Sequence, residues 1–323
     1  MMCLTKNMNK YYTNLIILDS NQEEGYYCKG RGWQVFFEQN QSCNTYVNGE
    51  LAKEIVIYAQ STERAQYVAN LILAAHCLYT GDLITDEDRV VYPYKAETGN
   101  ETNDRIMVGG HNRIGAEHLA VSCLIATKAS HRYSYQYAIF KYFLCYHAVP
   151  LWGHALDPNF GDWAPGKVVT ISTKEHVLYA NAITQAYSVL EELSLEIRAS
   201  SERPSLINHR WNPEVKINLE KRLITAGIDL SEDLMWHIRE TPTRIQKKRK
   251  PIAQKKTEWA SYEVRDIYMK VIDAIAYASW LRSKISAHRL SKLAKSLTIC
   301  DVANVQHLAR RLLLESLGFW RYH

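Results

Sequence analysis

The sequence predicts an α+β protein, with a mixed α/β N-terminal domain over residues 1–165 and an all-α domain over 166–323. Three observations carry this expectation. Short β-branched and aromatic runs bounded by Gly, Asn and Ser crowd the first 60 residues, the pattern of strands. Beyond residue 170, apolar residues recur at three and four, the pattern of helices. Between the two regions, Pro150, Pro158 and Pro165 punctuate the clearest break in the chain.

Taken in order, "NLIILDS", "GWQVFFEQ" and "LAKEIVIYAQ" are expected strands, and "VNGE" is a hairpin turn. Ser61 is placed to cap a helix whose positions Ala65, Val68, Leu71, Ile72, Ala75 and Leu78 share a face, and Gly81 to end it. Residues 82–112 are polar and loop-rich, with a candidate strand in "RVVYPY" and a breaker at Gly109 and Gly110. Helical spacing returns over 114–148, broken near Ser130. The tyrosines of 133–146 sit at helical intervals, which favours core over a base-stacking platform.

Past the break, 174–198 reads as one helix carrying Val177, Ala180, Ile183, Tyr187, Leu190 and Ile197 on a single face. "RPSLINHRWNP" interrupts it, and a short helix then runs from Pro213 to Gly227. "QKKRKPIAQKK" (246–256) reads as a basic linker. A long helix is expected over 261–288, with the stripe Val264, Tyr268, Val271, Ile275 and Ala278. "TICD" (298–301) has the form of a capping box before a final helix.

Composition narrows the function classes. Net charge is +5 and the isoelectric point about 8.7, which permits a polyanionic partner without requiring one. The seven cysteines (Cys3, Cys28, Cys43, Cys77, Cys123, Cys145 and Cys300) are odd in number, with no C-x-x-C pair. That speaks against a disulfide scaffold or a structural zinc site and suits a reducing cytoplasm. "LIIL" near the N-terminus is too short for a signal peptide's apolar region, and no run approaches a membrane helix, so no membrane association is expected. His111, Glu117 and His118, and likewise His147, His154, Asp157 and Asp162, are close in sequence but lack a metal-binding spacing. "MVGGHNRIG" lacks the Lys-Ser/Thr of a phosphate-binding loop. No metal and no cofactor are expected.

One position breaks its pattern. Continuing the stripe past Ala278 reaches Arg282, where an apolar residue is due, and His288 lies six residues further on. A charge on a buried stripe is costly unless a partner or ligand satisfies it. In an ideal helix, side chains six apart diverge by roughly 120°, so the pair converges only through a distorted helix end or a second, facing copy of the helix.

The stretch "YASWLRSKISAHRLSKLAKSLTICDVANVQHLARRLL" resembles the HEPN superfamily of small helical domains, which includes many metal-independent endoribonucleases. Their signature is an Arg followed after four to six residues by a His, late in one helix and ahead of another. The resemblance covers about 170–323 and implies a homodimer whose two Arg–His pairs line one RNA cleft. It implies His288 as acid/base and Arg282 as phosphate clamp. It also implies an acidic residue on an earlier helix, for which Glu191, Glu192 and Glu196 are candidates and Glu192 the choice. Two departures stand out: Ser283 replaces the Asn, Asp or His often found after the Arg, and Leu290 replaces the Tyr of a branch modified by a paired nucleotidyltransferase.

RNA contacts are expected at Lys284, Arg289, Lys247, Lys248, Arg249 and Arg310, with Lys250, Lys255, Lys256 and Arg311 beside them, the alternative for the linker and for Arg310 and Arg311 being solvated surface. The function so implied is an RNA-cutting hydrolase of defence or stress, in toxin or antiviral roles, whose N-terminal half senses a trigger or regulatory partner. The alternative is a non-catalytic dimerisation or RNA-binding module.

Overall fold

The computed structural model describes residues 8–17, 25–39, 46–47, 50–51, 53–81, 83, 92–93, 112–114, 116–150, 172–207, 210–239, 255–258, 264–286 and 294–320. It is a mixed α and β structure. Seven α-helices and several small sheets occur among the described residues, and the sheets are mostly antiparallel. Backbone contacts divide the chain into Met1–Gln136 and Tyr137–His323. This division falls within a helix and earlier than the 165/166 boundary expected from the prolines, which lies outside the described residues.

In the first unit, β1 (Asn9–Ile17), β2 (Gly25–Gly30), β3 (Trp33–Gln39), β6 (Lys53–Ala59), β7 (Tyr92–Pro93) and β8 (Asn112–Ile114) form one sheet. The order is β2-β3-β6-β1-β7, and β8 runs parallel to β1. Between β3 and β6, the short pair β4 (Tyr46–Val47) and β5 (Glu50–Leu51) places Val47 opposite Glu50, the register of the two-residue hairpin expected from "VNGE". Alternation on β3 sends Trp33, Val35 and Phe37 into the core. The Trp33 indole lies where a Cβ on Gly30 would stand, so that turn requires glycine. β1 shifts register between Tyr12 and Ile16, and there the Thr13 hydroxyl donates to the Ile55 carbonyl at 2.8 Å.

Helix α1 (Thr62–Thr80) starts and stops where its end residues dictate. The Ser61 hydroxyl accepts from the Arg64 N–H at 3.2 Å, and Gly81, at φ +76°, donates back to the Cys77 carbonyl. α1 packs on β6 and β1, α2 (Ala116–Ala129) packs on β2, and the two helices pack on each other. Ser130 ends α2 by donating to the Thr127 carbonyl and accepting from the Arg31 N–H. α3 (Tyr133–Ala148) follows.

In the second unit, α4 (Thr173–Glu192) opens on a Ser172–Glu175 capping box. It stops at Glu192, short of the expected 198: Ser194 turns left-handed at φ +58° and the Leu195 N–H donates to the Leu190 carbonyl. Val177, expected in the core, is 51% exposed. β9 (Leu206–Ile207) and β10 (Arg210–Trp211) form a small hairpin. α5 (Pro213–Thr225) has Asn212 as its cap and Pro213 in its first turn.

The second half of the chain is not all-α. β11 (Leu234–Arg239), β12 (Lys255–Glu258) and β13 (Val264–Met269) form a three-stranded antiparallel sheet of order β11-β13-β12. Part of the helix expected over 261–288 is therefore a strand, and Lys255 and Lys256 lie in β12 rather than a linker. The physical reason is cross-strand pairing: Trp236 stands opposite Ile267 and Leu234 opposite Met269, all four buried.

Only Lys270 separates β13 from α6 (Val271–Leu281). The capping box of Thr298 and Asp301 then starts α7 (Ile299–Leu317), as expected, and Gly318 ends it at φ +75°. α7 is the centre of this unit and packs on α4, α6 and β11. Two of its buried polar side chains, Asn304 and Gln306, reach backbone groups. Asn304 accepts from the His237 N–H at 2.8 Å and donates to the His237 carbonyl at 2.7 Å, closing the outer edge of β11. Gln306 donates to the carbonyls of Cys145 and Val149 at the end of α3. The five described cysteines are buried free thiols, and no described helix is long and apolar enough to cross a membrane.

Candidate functional site

Arg282 stands at a change of helical form. It is the C-cap of α6 and the first residue of a π-helical segment, Arg282–Ser286. A π-helix closes its hydrogen bonds five residues apart instead of four. Ideal α-helical spacing therefore does not hold over Arg282–Ser286. His288 and Arg289 lie outside the described residues, as do Lys247, Lys248 and Arg249. Lys284 lies within the π-helical segment.

The last two turns of α4 receive the arginine. Tyr187 and Glu191, four residues apart, share one face of α4. Nη2 of Arg282 lies 3.0 Å from Oε1 of Glu191, and the guanidinium sits 5.8 Å from the Tyr187 ring centroid. The side chain is 39% exposed, so it occupies the margin of the apolar stripe rather than its interior. The Tyr187 phenol is buried beneath it, accepts from the Ile197 N–H at 3.4 Å, and is pushed above the ordinary tyrosine range by that burial.

The three candidate carboxylates separate cleanly. Glu191 meets Arg282. Glu192 points to Lys141 at 2.6 Å, and this corrects its assignment as the partner of Arg282. One residue along an α-helix is a rotation of about 100°, which carries Glu192 off the face shared by Tyr187 and Glu191. Glu196 lies past the end of α4 and pairs with Arg198 at 2.7 Å and with Arg222 at 3.8 Å. Ser283 donates to the Trp280 carbonyl at 3.5 Å.

Arg310 and Arg311 also need correcting. Both are buried, at 5% and 2% exposure, so neither is a surface contact for RNA. Arg311 pairs with Glu315 at 2.8 Å and donates to the Asp229, Glu232 and Asp233 carbonyls. Arg310 lies 5.4 Å from the Trp320 ring. Helix α7 is covered on all sides, and a guanidinium can enter such a core when its donors meet fixed acceptors.

Tyr187 beneath Arg282 was read from the sequence only as a core position, and its partnership with Glu191 follows from their four-residue spacing. Among the described residues no group of three or more His, Cys, Asp or Glu side chains is disposed to hold a metal ion. Comparisons of the chain with protein-family models, with curated proteins and with solved structures gave no match.

Proposed function

We propose that the chain is an endoribonuclease of HEPN type that cuts RNA without a metal, with Arg282 and His288 as its reacting pair. The observation that carries this reading is a half-exposed arginine at an α-to-π transition, held by Glu191 and seated over Tyr187. Such transitions recur at functional sites because they re-aim side chains at the expense of regular hydrogen bonding. A guanidinium there has donors suited to a phosphodiester, and Glu191, not Glu192, is the carboxylate that positions it.

In the proposed reaction the ribose 2'-oxygen attacks the adjacent phosphorus. The O2'–P bond forms and the P–O5' bond breaks, leaving a 2',3'-cyclic phosphate and a 5'-hydroxyl. One imidazole accepts the 2'-hydroxyl proton and a protonated one supplies the departing O5'. Arg282 neutralises charge building on the non-bridging oxygens. A homodimer supplies both imidazoles from facing copies, and an RNA-damaging role in defence or stress fits this chemistry.

The deciding experiment incubates the full chain, His288→Ala and Arg282→Ala with end-labelled RNA in excess EDTA from about pH 5 to 9, a range spanning the ordinary histidine pKa. The expected result is cleavage by the wild type and a loss of at least about a hundredfold in each variant. No cleavage by the wild type would instead favour a non-catalytic module, and equal cleavage by His288→Ala would overturn His288 as the acid/base. Light scattering of an active monomer would overturn the dimer.

A further inference from the structure

Helix α3 combines features that neither its packing nor the Arg282 site uses. Tyr142 and Tyr146 are buried at 1% exposure, as their helical spacing predicts. Tyr133 and Tyr137, however, are 71% and 60% exposed. Four residues apart, these two rings share one face of the helix at a separation of about 6 Å along its axis. Leu144 extends that face at 55% exposure.

Cations stand at the start of this face. Lys128, His131 and Arg132 are exposed at the end of α2 and in the turn leading into α3. The Arg132 guanidinium lies 5.1 Å from the Tyr135 ring centroid, a cation–π arrangement that holds the arginine beside the exposed rings. No Asp or Glu occurs between Glu117 and Asp157, although the chain has 34 of them in 323 residues. Glu192 approaches from α4, and Lys141 pairs with it at 2.6 Å.

Exposed aromatic rings one helical turn apart are suited to a contact surface. Planar rings one helical turn apart, with cations alongside and no carboxylate on their own helix, complement a polyanion that carries planar, unstacked bases. A duplex keeps its base faces inside the stack and cannot use the rings. An acidic peptide would meet the cations and leave the rings with little to cover them.

We propose that this face of α3 binds single-stranded RNA, with bases stacked on Tyr133 and Tyr137 and phosphates held by Lys128, His131 and Arg132. The proposal does not depend on cleavage at Arg282.

The test measures fluorescence anisotropy of a fluorescein-labelled 12-nucleotide oligouridylate against the full chain at several salt concentrations. Tyr133→Ala/Tyr137→Ala is expected to weaken binding by roughly tenfold per ring or more, the range for lost base stacking. Tyr133→Phe/Tyr137→Phe should bind as the wild type does, because stacking uses the ring and not the hydroxyl. Arg132→Ala should reduce the salt slope by about one phosphate contact, and a duplex of the same length should bind more weakly. Binding of the oligouridylate by a wild type that cleaves no RNA would count against the nuclease reading and not against this surface. No binding of the oligouridylate, or equal binding by the double alanine variant, would overturn the proposal. So would a double alanine variant with unchanged RNA affinity but a smaller sedimenting species, because the face would then be a protein contact.

Discussion

Helix α1 and the stretch from Val264 to Ser286 are both apolar and of similar length, yet their backbones behave differently. α1 holds one conformation from Thr62 to Thr80. The second stretch passes through three: strand β13, helix α6 and a π-helical turn. α1 is closed at both ends by its own sequence, through the Ser61 hydroxyl and the left-handed Gly81. α6 opens on Lys270, which makes no side-chain capping bond, and it ends at Arg282 without a glycine. Where local residues do not close a helix, neighbouring elements set its limits. β11 draws Val264–Met269 into a sheet, and the α4 side chains Tyr187 and Glu191 hold the arginine at the other end. The segment that depends on its neighbours is the one that carries the candidate site.

Four measurements would break or sharpen this contrast. The largest effects are expected from cavities in the two cores. Leu71 in α1 and Ile267 in β13 are both fully buried, so Leu71→Ala and Ile267→Ala should each lose about 2–5 kcal/mol in urea denaturation. A loss below about 1 kcal/mol for Ile267→Ala would show that the sheet is not the core element described.

The next effect is a pH dependence that arises in α1. His76 is 4% exposed, and burial, with His118 close by, lowers its pKa to about 4. The unfolded chain binds this proton near pH 6.5 and the folded chain resists it. Stability from His76 is therefore complete above pH 6.5, declines as pH falls towards 4, and is constant below that, a total on the order of 3 kcal/mol. Denaturation of wild type and His76→Leu at pH 7 and 4.5 should show the wild type losing more on acidification. Parallel losses would rule out His76 as the source.

A smaller effect tests the outer edge of β11. Asn304→Ala leaves the His237 N–H and carbonyl without their side-chain partner, a cost of about 1–3 kcal/mol. Hydrogen exchange should speed up at His237 and its β11 neighbours while α1 amides stay protected. The smallest pair compares the two helix starts. Ser61→Ala should cost about 1 kcal/mol, whereas Lys270→Ala loses only a partly exposed ion pair with Asp233 and should cost less. Equal costs would remove the contrast in capping.

Much of the architecture was legible from local signals. Ser61 and Gly81, Pro213, Thr298 and Asp301, and the break at Ser130 all act where expected, because a cap or turn is a contract among residues within about one helical turn. The strand β13 was not legible, because Val264, Tyr268 and Val271 also fit a helical spacing and the choice lay with β11. Arg282 was singled out for breaking an apolar stripe, and it does stand at a distorted helix end. Its carboxylate partner was not legible, since three glutamates near the end of α4 differ only in rotation and in where that helix stops.

The sequence by itself determined the mixed fold class, most of the helix boundaries and the placement of an arginine where an apolar residue was due. These depend on contacts between residues close along the chain. Only the tertiary structure decided that Val264–Met269 is a strand, that Glu191 meets Arg282, that Arg310 and Arg311 are buried, and that Tyr133 and Tyr137 face outward. Each of those depends on which element packs beside which. An apolar or charged side chain carries no record of its neighbours beyond a turn or two of helix.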